Sequence, residues 1–315
     1  MNILITGVGY LSSHFCTVLN QDDCYFILSR SSTLDLSKYK AISEASKVKI
    51  TLIDCDLSDI QALETALKDH KIEIVIHLAW AHHPNNLLTT EYDFPNLRMT
   101  RSLIESMKKT QVRRLIFASS AAVYGLKNEI NIEDQTIPNP HNLYGLEKLR
   151  TELLLEEFSH SETDWSILCL RFFNITGYGH SLDYNWRNHP KISLIDRLAL
   201  DAALEKATAV EGDFIRDYIH VIDAANSILS GLKWLKKNQK FDVINIGSGT
   251  GSSLSQLINV FEKNCGVTPK IKWQSEADHN NRCIADLRKA HDFLGVKIIF
   301  NINLICHEAW QRARN

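Results

Sequence analysis

The sequence predicts an α/β protein built on a doubly wound parallel sheet, followed by a smaller C-terminal lobe. Three observations predict it. Short apolar runs alternate with helical patterns through the first half of the chain. Most of those runs are apolar throughout, as in strands covered by helices on both faces. The first run, Ile3-Leu4-Ile5, meets a glycine turn, Thr6-Gly7-Val8-Gly9, and then a helical stretch.

The expected strands are Ile3–Ile5, Tyr25–Leu28, Lys49–Ile53, Ile72–Leu78, Arg114–Ala118, Ser166–Leu170 and Val243–Ile246. Helices are expected between them at 12–20, 59–70, 96–110, 142–160 and 221–237. In the fourth, Leu146, Leu149 and Leu153 recur every three to four residues, which predicts one apolar stripe. Beyond residue 174 the pattern loosens. The stretch Gly177–Pro190 reads as a loop, and helices are expected near 192–206, 253–264 and 303–313.

With 315 residues, 44% hydrophobic and 23% charged, the chain suits one or two soluble domains with a large core. A formal net charge of −2 gives no footprint for nucleic acid or an anionic membrane surface. No apolar run approaches the roughly 20 residues of a membrane helix. The seven cysteines are scattered without a C-x-x-C pair, as expected of buried free thiols in a reducing compartment. The first strand begins near residue 2, leaving no room for a signal peptide. A cytoplasmic protein is therefore expected.

Three stretches carry chemistry. Gly7 permits a tight turn after the first strand. Gly9 lets the backbone approach a pyrophosphate at a helix N-terminus. Ser12 stands where a third glycine is usual, so the pattern alone fits a cofactor loop and a ligand-free turn equally. Tyr144 and Lys148, four apart at the start of a helix, share one face. An ammonium beside a phenol lowers its pKa and makes it a usable acid/base, although the same spacing arises by chance in many helices. Ser119-Ser120 ends an apolar strand, where parallel sheets bind ligands or where a strand is simply capped.

Together with further motifs in the same order, these stretches resemble the extended short-chain dehydrogenases/reductases, of the epimerase/dehydratase kind that acts on nucleotide sugars. The motifs are the TG-x-G loop, Asp56-Leu57, "IHLAW" (76–80), Asn96 with Thr100, "SSAAVYG" (119–125), "YGLEK" (144–148), "LRFFNITG" (170–177), "RDYIHVIDAA" (216–225), "NIGSG" (245–249) and "ADLRKAHDFLG" (285–295). The resemblance implies a Rossmann-type dinucleotide-binding domain at 1–174, to which 212–245 returns. It implies a substrate-binding lobe at 175–211 and 246–315.

It also implies residue roles. Tyr144 resembles the general acid/base, Lys148 the residue that tunes it and holds the nicotinamide ribose, and Ser120 the partner of the reacting oxygen. Gly7, Gly9, Tyr10 and Leu11 match the phosphate loop. Asp56 and Leu57 match positions near the adenine, while Leu78, Ala79, Trp80, Asn96 and Ser119 match the cofactor lining. Asn174 and Arg216 match contacts to the substrate's nucleotide diphosphate, and Arg282 is the nearest candidate for a further phosphate contact. A homodimer through 96–110 and 142–160 is implied as well.

The implied reaction is epimerisation at sugar C4 through a transient keto sugar. The alternative is an NADPH-dependent reductase of a nucleotide-linked keto sugar, and a third reading is a non-catalytic NAD(P)-binding sensor or scaffold. Dehydration is disfavoured, because Ala121-Ala122 stand where dehydratases carry acids. The cofactor is NAD or NADP. Ser29-Arg30-Ser31-Ser32 follows the second strand where NAD-preferring relatives carry an acid, and this leans towards NADP. Trp186 and His189 read more readily as loop packing than as substrate contacts, and His82-His83 as polar loop rather than metal ligands.

Overall fold

The computed structural model describes residues 1–30, 37–81, 94–125, 128–161, 164–179, 192–274 and 281–314. Its strands in chain order are β1 (Asn2–Thr6), β2 (Cys24–Ser29), β3 (Lys49–Asp54), β4 (Ile74–His77), β5 (Arg114–Ser120), β6 (Asn128–Ile132), β7 (Ser166–Phe172), β8 (Asn174–Thr176), β9 (Ala207–Val210), β10 (Ile215–His220), β11 (Phe241–Ile246), β12 (Gly251–Ser252), β13 (Lys270–Trp273) and β14 (Arg282–Ala285). The helices are α1 (Tyr10–Phe15), α2 (Ser37–Ser46), α3 (Ile60–Asp69), α4 (Pro95–Lys109), α5 (Leu143–Ser161), α6 (Leu194–Ala203), α7 (Val221–Leu235), α8 (Leu254–Cys265) and α9 (Ile302–Arg314).

A seven-stranded sheet has the order β11-β7-β5-β4-β1-β2-β3. Its strands β3, β2, β1, β4 and β5 pair in parallel, with Leu4 opposite both Phe26 and Val75. This is the doubly wound arrangement expected. The chain moves outward from β1 through β2 to β3, then returns to β4 on the other side. The order therefore reverses at β1/β4, and ligands bind such sheets at the carboxyl ends flanking that reversal. Thr6 and His77 end the two strands there and pair with each other.

Two compact units emerge. The first comprises 1–125, 138–171 and 225–244, and the second 126–137, 172–224 and 245–315. Residues 126–137 and 212–224, placed with the dinucleotide-binding part on sequence, group with the second unit. The reason is strand pairing: β10 joins β8, β12 and β14, and β14 joins β6. In the first unit, Leu63 and Leu67 of α3, Leu103, Ile104 and Met107 of α4, and Leu155 of α5 close on Leu4, Val75, Leu115 and Phe117 of the sheet. Each such fully buried side chain contributes about 1.5–3 kcal/mol of hydrophobic transfer. In the second unit, α6, α8 and α9 enclose Ile195, Leu198, Leu257, Phe261 and Ile305.

The first helix differs from expectation. It spans Tyr10–Phe15 and tightens into a 3₁₀ turn at Cys16–Val18 instead of running to residue 20. The seven cysteines are free thiols, five of them buried, with Cys24 and Cys265 half-buried. Among the described residues no helix is long and apolar enough to cross a membrane.

Candidate active site

The first unit gathers its candidate residues at the strand ends. Gly7 follows β1 with φ +87°, and a Cβ there would lie 2.7 Å from the Ala79 Cα. Only glycine combines that left-handed backbone with so close an approach of the chain after β4. Thr6 ties the same two strands: its Oγ1 lies 2.7 Å from His77 Nδ1 and accepts from Ala79 N–H at 3.3 Å. Gly9 caps the N-terminus of α1 and is exposed, and a Cβ added there would meet nothing within 4 Å. The turn thus leaves bare backbone open at the start of α1. Tyr10 and Leu11 follow it, both half-buried.

Ser12 is not an idle replacement for glycine. Its hydroxyl donates to Gly9 O at 3.0 Å, Ser13 Oγ donates to the same carbonyl at 2.8 Å, and Tyr39 OH lies within 3.4 Å of both serines. The loop is fixed from within by hydroxyls.

Near the end of β2, Arg30 is two-thirds exposed (67%) and lies 3.7 Å from the Asp56 carboxylate. Asp56 also accepts from Ser58 Oγ at 2.7 Å and Ser58 N–H at 2.8 Å. The Ser58 hydroxyl above all, then its amide and Arg30, holds the Asp56 carboxyl below the usual carboxylate range. Leu57 beside it is buried, while Leu78, Ala79 and Trp80 are partly open. Asn96 is buried with its amide occupied. Its Oδ1 accepts from Ala81 N–H at 2.6 Å, and its Nδ2 donates to Ala81 O at 3.0 Å and to Glu147 at 2.7 Å. It orders the chain after β4 instead of offering a free amide.

The acid/base cluster forms where α5 meets the end of β5. A side chain at Gly145 would strike the Ala122 carbonyl, so the helix start rests directly against the turn after Ser120. That contact brings the Tyr144 phenol into hydrogen bonding with the Ser120 hydroxyl. Ser120 Oγ also accepts from Ala122 N–H at 3.1 Å. Lys148, 4% exposed, donates from Nζ to Ala118 O at 2.6 Å.

One expectation is corrected. The Tyr144 pKa is raised by burial, with the Ser120 hydrogen bond opposing, instead of being lowered by Lys148. The ammonium is engaged elsewhere: it lies 5.8 Å from the Tyr144 ring centre and 3.5 Å from that of Trp80. Burial above all pulls the Lys148 pKa down to about 7, against the nearby Glu147 and Glu152.

Beneath the cluster lies a polar layer that sequence reasoning missed. Glu147 accepts from Asn96 N–H at 2.9 Å. Glu152, four residues beyond Lys148, takes Arg171 in a fork, Nε to Oε1 at 3.0 Å and Nη2 to Oε2 at 2.6 Å. Ser119 Oγ donates to the same carboxylate, and Arg171 Nη1 donates to Tyr124 OH at 2.9 Å. The expected leucine stripe is overturned with it. The buried face of α5 carries Glu147, Lys148, Thr151 and Glu152, whereas Leu153 is 54% exposed. The signal was present: 144, 148 and 152 recur every four residues, and each carries a polar group.

In the second unit, Asn174 is exposed and donates to Asp217 O at 2.9 Å. Arg216 stacks on Phe214 at 4.7 Å and donates to Asn281 Oδ1 at 3.0 Å, and burial lowers its pKa. Arg282 begins β14, paired with Ile215. β10 thus brings the three together, because Asn174 pairs with its Tyr218. Ser31, Ser32, His82, His83, Trp186 and His189 lie outside the described residues.

The model of the family described as "NAD dependent epimerase/dehydratase family" matches residues 3–247. Among curated relatives, the UDP-glucose 4-epimerase of Bacillus subtilis (strain 168) is 29% identical, covering 99% of this chain and 96% of its own. That of Yersinia enterocolitica is 32% identical over 84% and 83%. Among solved structures, the UDP-glucose-4-epimerase from Stenotrophomonas maltophila, with bound NAD and formylated UDP-arabinopyranose, superposes with a TM-score of 0.86 at 26% identity, covering 100% and 98%. The enzyme from Bifidobacterium longum, in complex with NAD+ and UDP, gives 0.81 at 26% identity, covering 99% and 98%. The chain belongs to the NAD dependent epimerase/dehydratase family.

Proposed function

We propose that the protein is a nucleotide-sugar 4-epimerase of the UDP-glucose 4-epimerase type. The observation that carries this reading is the Ser120–Tyr144 hydrogen bond beside a buried Lys148, at the carboxyl end of a doubly wound sheet. Gly7, Gly9, Tyr10 and Leu11 would hold the pyrophosphate of the dinucleotide, Asp56 and Leu57 its adenosine end, and Leu78, Ala79 and Trp80 its inner face. Bound there, the nicotinamide supplies a hydride acceptor and donor for sugar C4.

The chain's own residues handle the proton. Tyr144 takes it from the 4-hydroxyl as that carbon becomes a ketone and returns it when the ketone is reduced on its other face. Ser120 donates a hydrogen bond to the developing carbonyl oxygen. Lys148, buried beside Tyr144 with its ammonium on Ala118 O, would hold the nicotinamide ribose. Asn174, Arg216 and Arg282 would hold the nucleotide diphosphate. The exposed Leu153 of α5 suits contact with a second copy of the chain, and sedimentation at micromolar concentration tests that homodimer. Free thiols throughout suit a reducing cytoplasm.

Arg30 keeps an NADP reading in play, as an exposed guanidinium able to take a 2′-phosphate. The Asp56 carboxylate 3.7 Å away works against a second anion there. We therefore take NAD as the cofactor. The test is incubation of the purified protein with UDP-glucose and catalytic NAD, with chromatographic separation of the C4 epimers. Interconversion that falls by about 10²–10⁴-fold in Tyr144→Phe supports the reading. Absence of interconversion, or an unimpaired Tyr144→Phe, overturns it.

A further inference from the structure

Trp80 ends the "IHLAW" stretch beyond β4, and its indole contacts both members of the acid/base pair. Lys148 Nζ lies 3.5 Å from the indole centre. The Tyr144 ring stands edge-on to the indole at 6.0 Å and 87°. Phe117 of β5 packs 6.1 Å from the indole and 4.7 Å from the same ammonium. The ammonium's hydrogen bond goes to Ala118 O at 2.6 Å. Two aromatic faces and one carbonyl therefore fix a group that ends four rotatable bonds. Helical spacing sets only its Cα.

We propose that Trp80 is a positioning residue for the acid/base pair: its indole seats the Lys148 ammonium, braces the Tyr144 ring and keeps water from both. This deepens the epimerase reading and rests on it for the kinetic part of the test. A cation over an indole face is held by the ring quadrupole, more strongly as water is excluded. The charged and titratable groups facing Lys148 are Glu147 and Glu152 on α5, Cys169 on β7 and His77 on β4. The acids favour its charge, while His77 is kept neutral by burial, its own pKa pulled down to about 3. Burial outweighs the acids and brings the Lys148 pKa to about 7. A smaller residue at 80 opens the ammonium to water and lifts that value towards the ordinary lysine range.

The test compares the full-length wild type with Trp80→Phe, Trp80→Leu and Lys148→Met. Indole fluorescence of the wild type, minus that of Trp80→Phe, is followed from about pH 5 to about pH 9. A transition centred near 7 is expected, and it should vanish in Lys148→Met. With UDP-glucose, the matching limb of the kcat/KM profile should move up by about one pH unit or more in Trp80→Leu and by less in Trp80→Phe. A transition unaltered in Lys148→Met overturns the proposal. So does a Trp80→Leu profile that is scaled down without moving. If Trp80→Leu does not fold, the fluorescence comparison and Trp80→Phe still decide. If the wild type itself does not turn over UDP-glucose, the epimerase reading fails while the fluorescence result still judges the seating of Lys148.

Discussion

Replacing Glu152 with alanine tests the floor of the site. Its side chain is 3% exposed and that of Arg171 is 6% exposed, so neither charge has water to fall back on. The carboxylate accepts three hydrogen bonds from the guanidinium and one from Ser119. Removing one member of such a pair leaves the other charge buried and uncompensated, at a cost of about 3–5 kcal/mol. At about 2–4 °C per kcal/mol for a chain somewhat under this size, the melting temperature should drop by ~6–20 °C. Glu152→Gln keeps the shape, removes the charge and should fall in the lower half of that range. The double variant Glu152→Leu/Arg171→Met removes both charges, so its cost should be well below the sum of the singles. Thermal unfolding followed by far-UV circular dichroism measures these variants together with the singles Glu152→Leu and Arg171→Met. A Glu152→Ala protein within about 1 kcal/mol of wild type, or a double variant equal to the sum, refutes a buried and mutually dependent pair.

Gly7→Ala forces a side chain into a left-handed backbone and against the Ala79 main chain. It should cost about 1–3 kcal/mol in strain and weaken NAD binding, read by cofactor fluorescence titration. Lys148 has a folded pKa of about 7 against an ordinary 10.5. Between those values the unfolded chain binds a proton that the folded chain does not, so stability rises with pH across that window, by up to about 1.4 kcal/mol per unit. Lys148→Met should flatten this slope in urea titrations at a series of pH values. NAD should bind at least as tightly as NADP, and Arg30→Ala should leave NAD affinity unchanged. Tighter NADP binding that is lost in Arg30→Ala reverses the cofactor assignment.

The parallel sheet was legible because its central strands are buried on both faces. Ile3-Leu4-Ile5 and Ser166–Leu170 need no alternation to be recognised. The α5 helix misled for the opposite reason. Leucine periodicity marks a core face only when the core is wholly apolar, and here the inner face sets Glu147, Lys148 and Glu152, each satisfied by a distant partner, beside Leu154 and Leu155. Those partners, Asn96 and Arg171, lie 51 and 19 residues away in sequence, so no local pattern reveals them. Ser12 is similar: its hydroxyl bond to Gly9 O is local, but the Tyr39 hydroxyl that completes the loop comes from α2, a helix the sequence pattern did not mark. Tyr144 and Lys148 were found by spacing. Their electrostatics were not, because rotation of the lysine towards Trp80 and Ala118 depends on the tertiary fold.

In the proposed reaction Tyr144 and its neighbours support oxidation and re-reduction of one sugar carbon, with no net consumption of cofactor. UDP-glucose deuterated at C4, incubated with the protein and catalytic NAD, tests it most directly by mass spectrometry and NMR of the products. A C4 epimer that retains its deuterium at C4 is expected, with no accumulation of reduced cofactor. Deuterium lost to solvent, or one reduced cofactor consumed for each product formed, would contradict it.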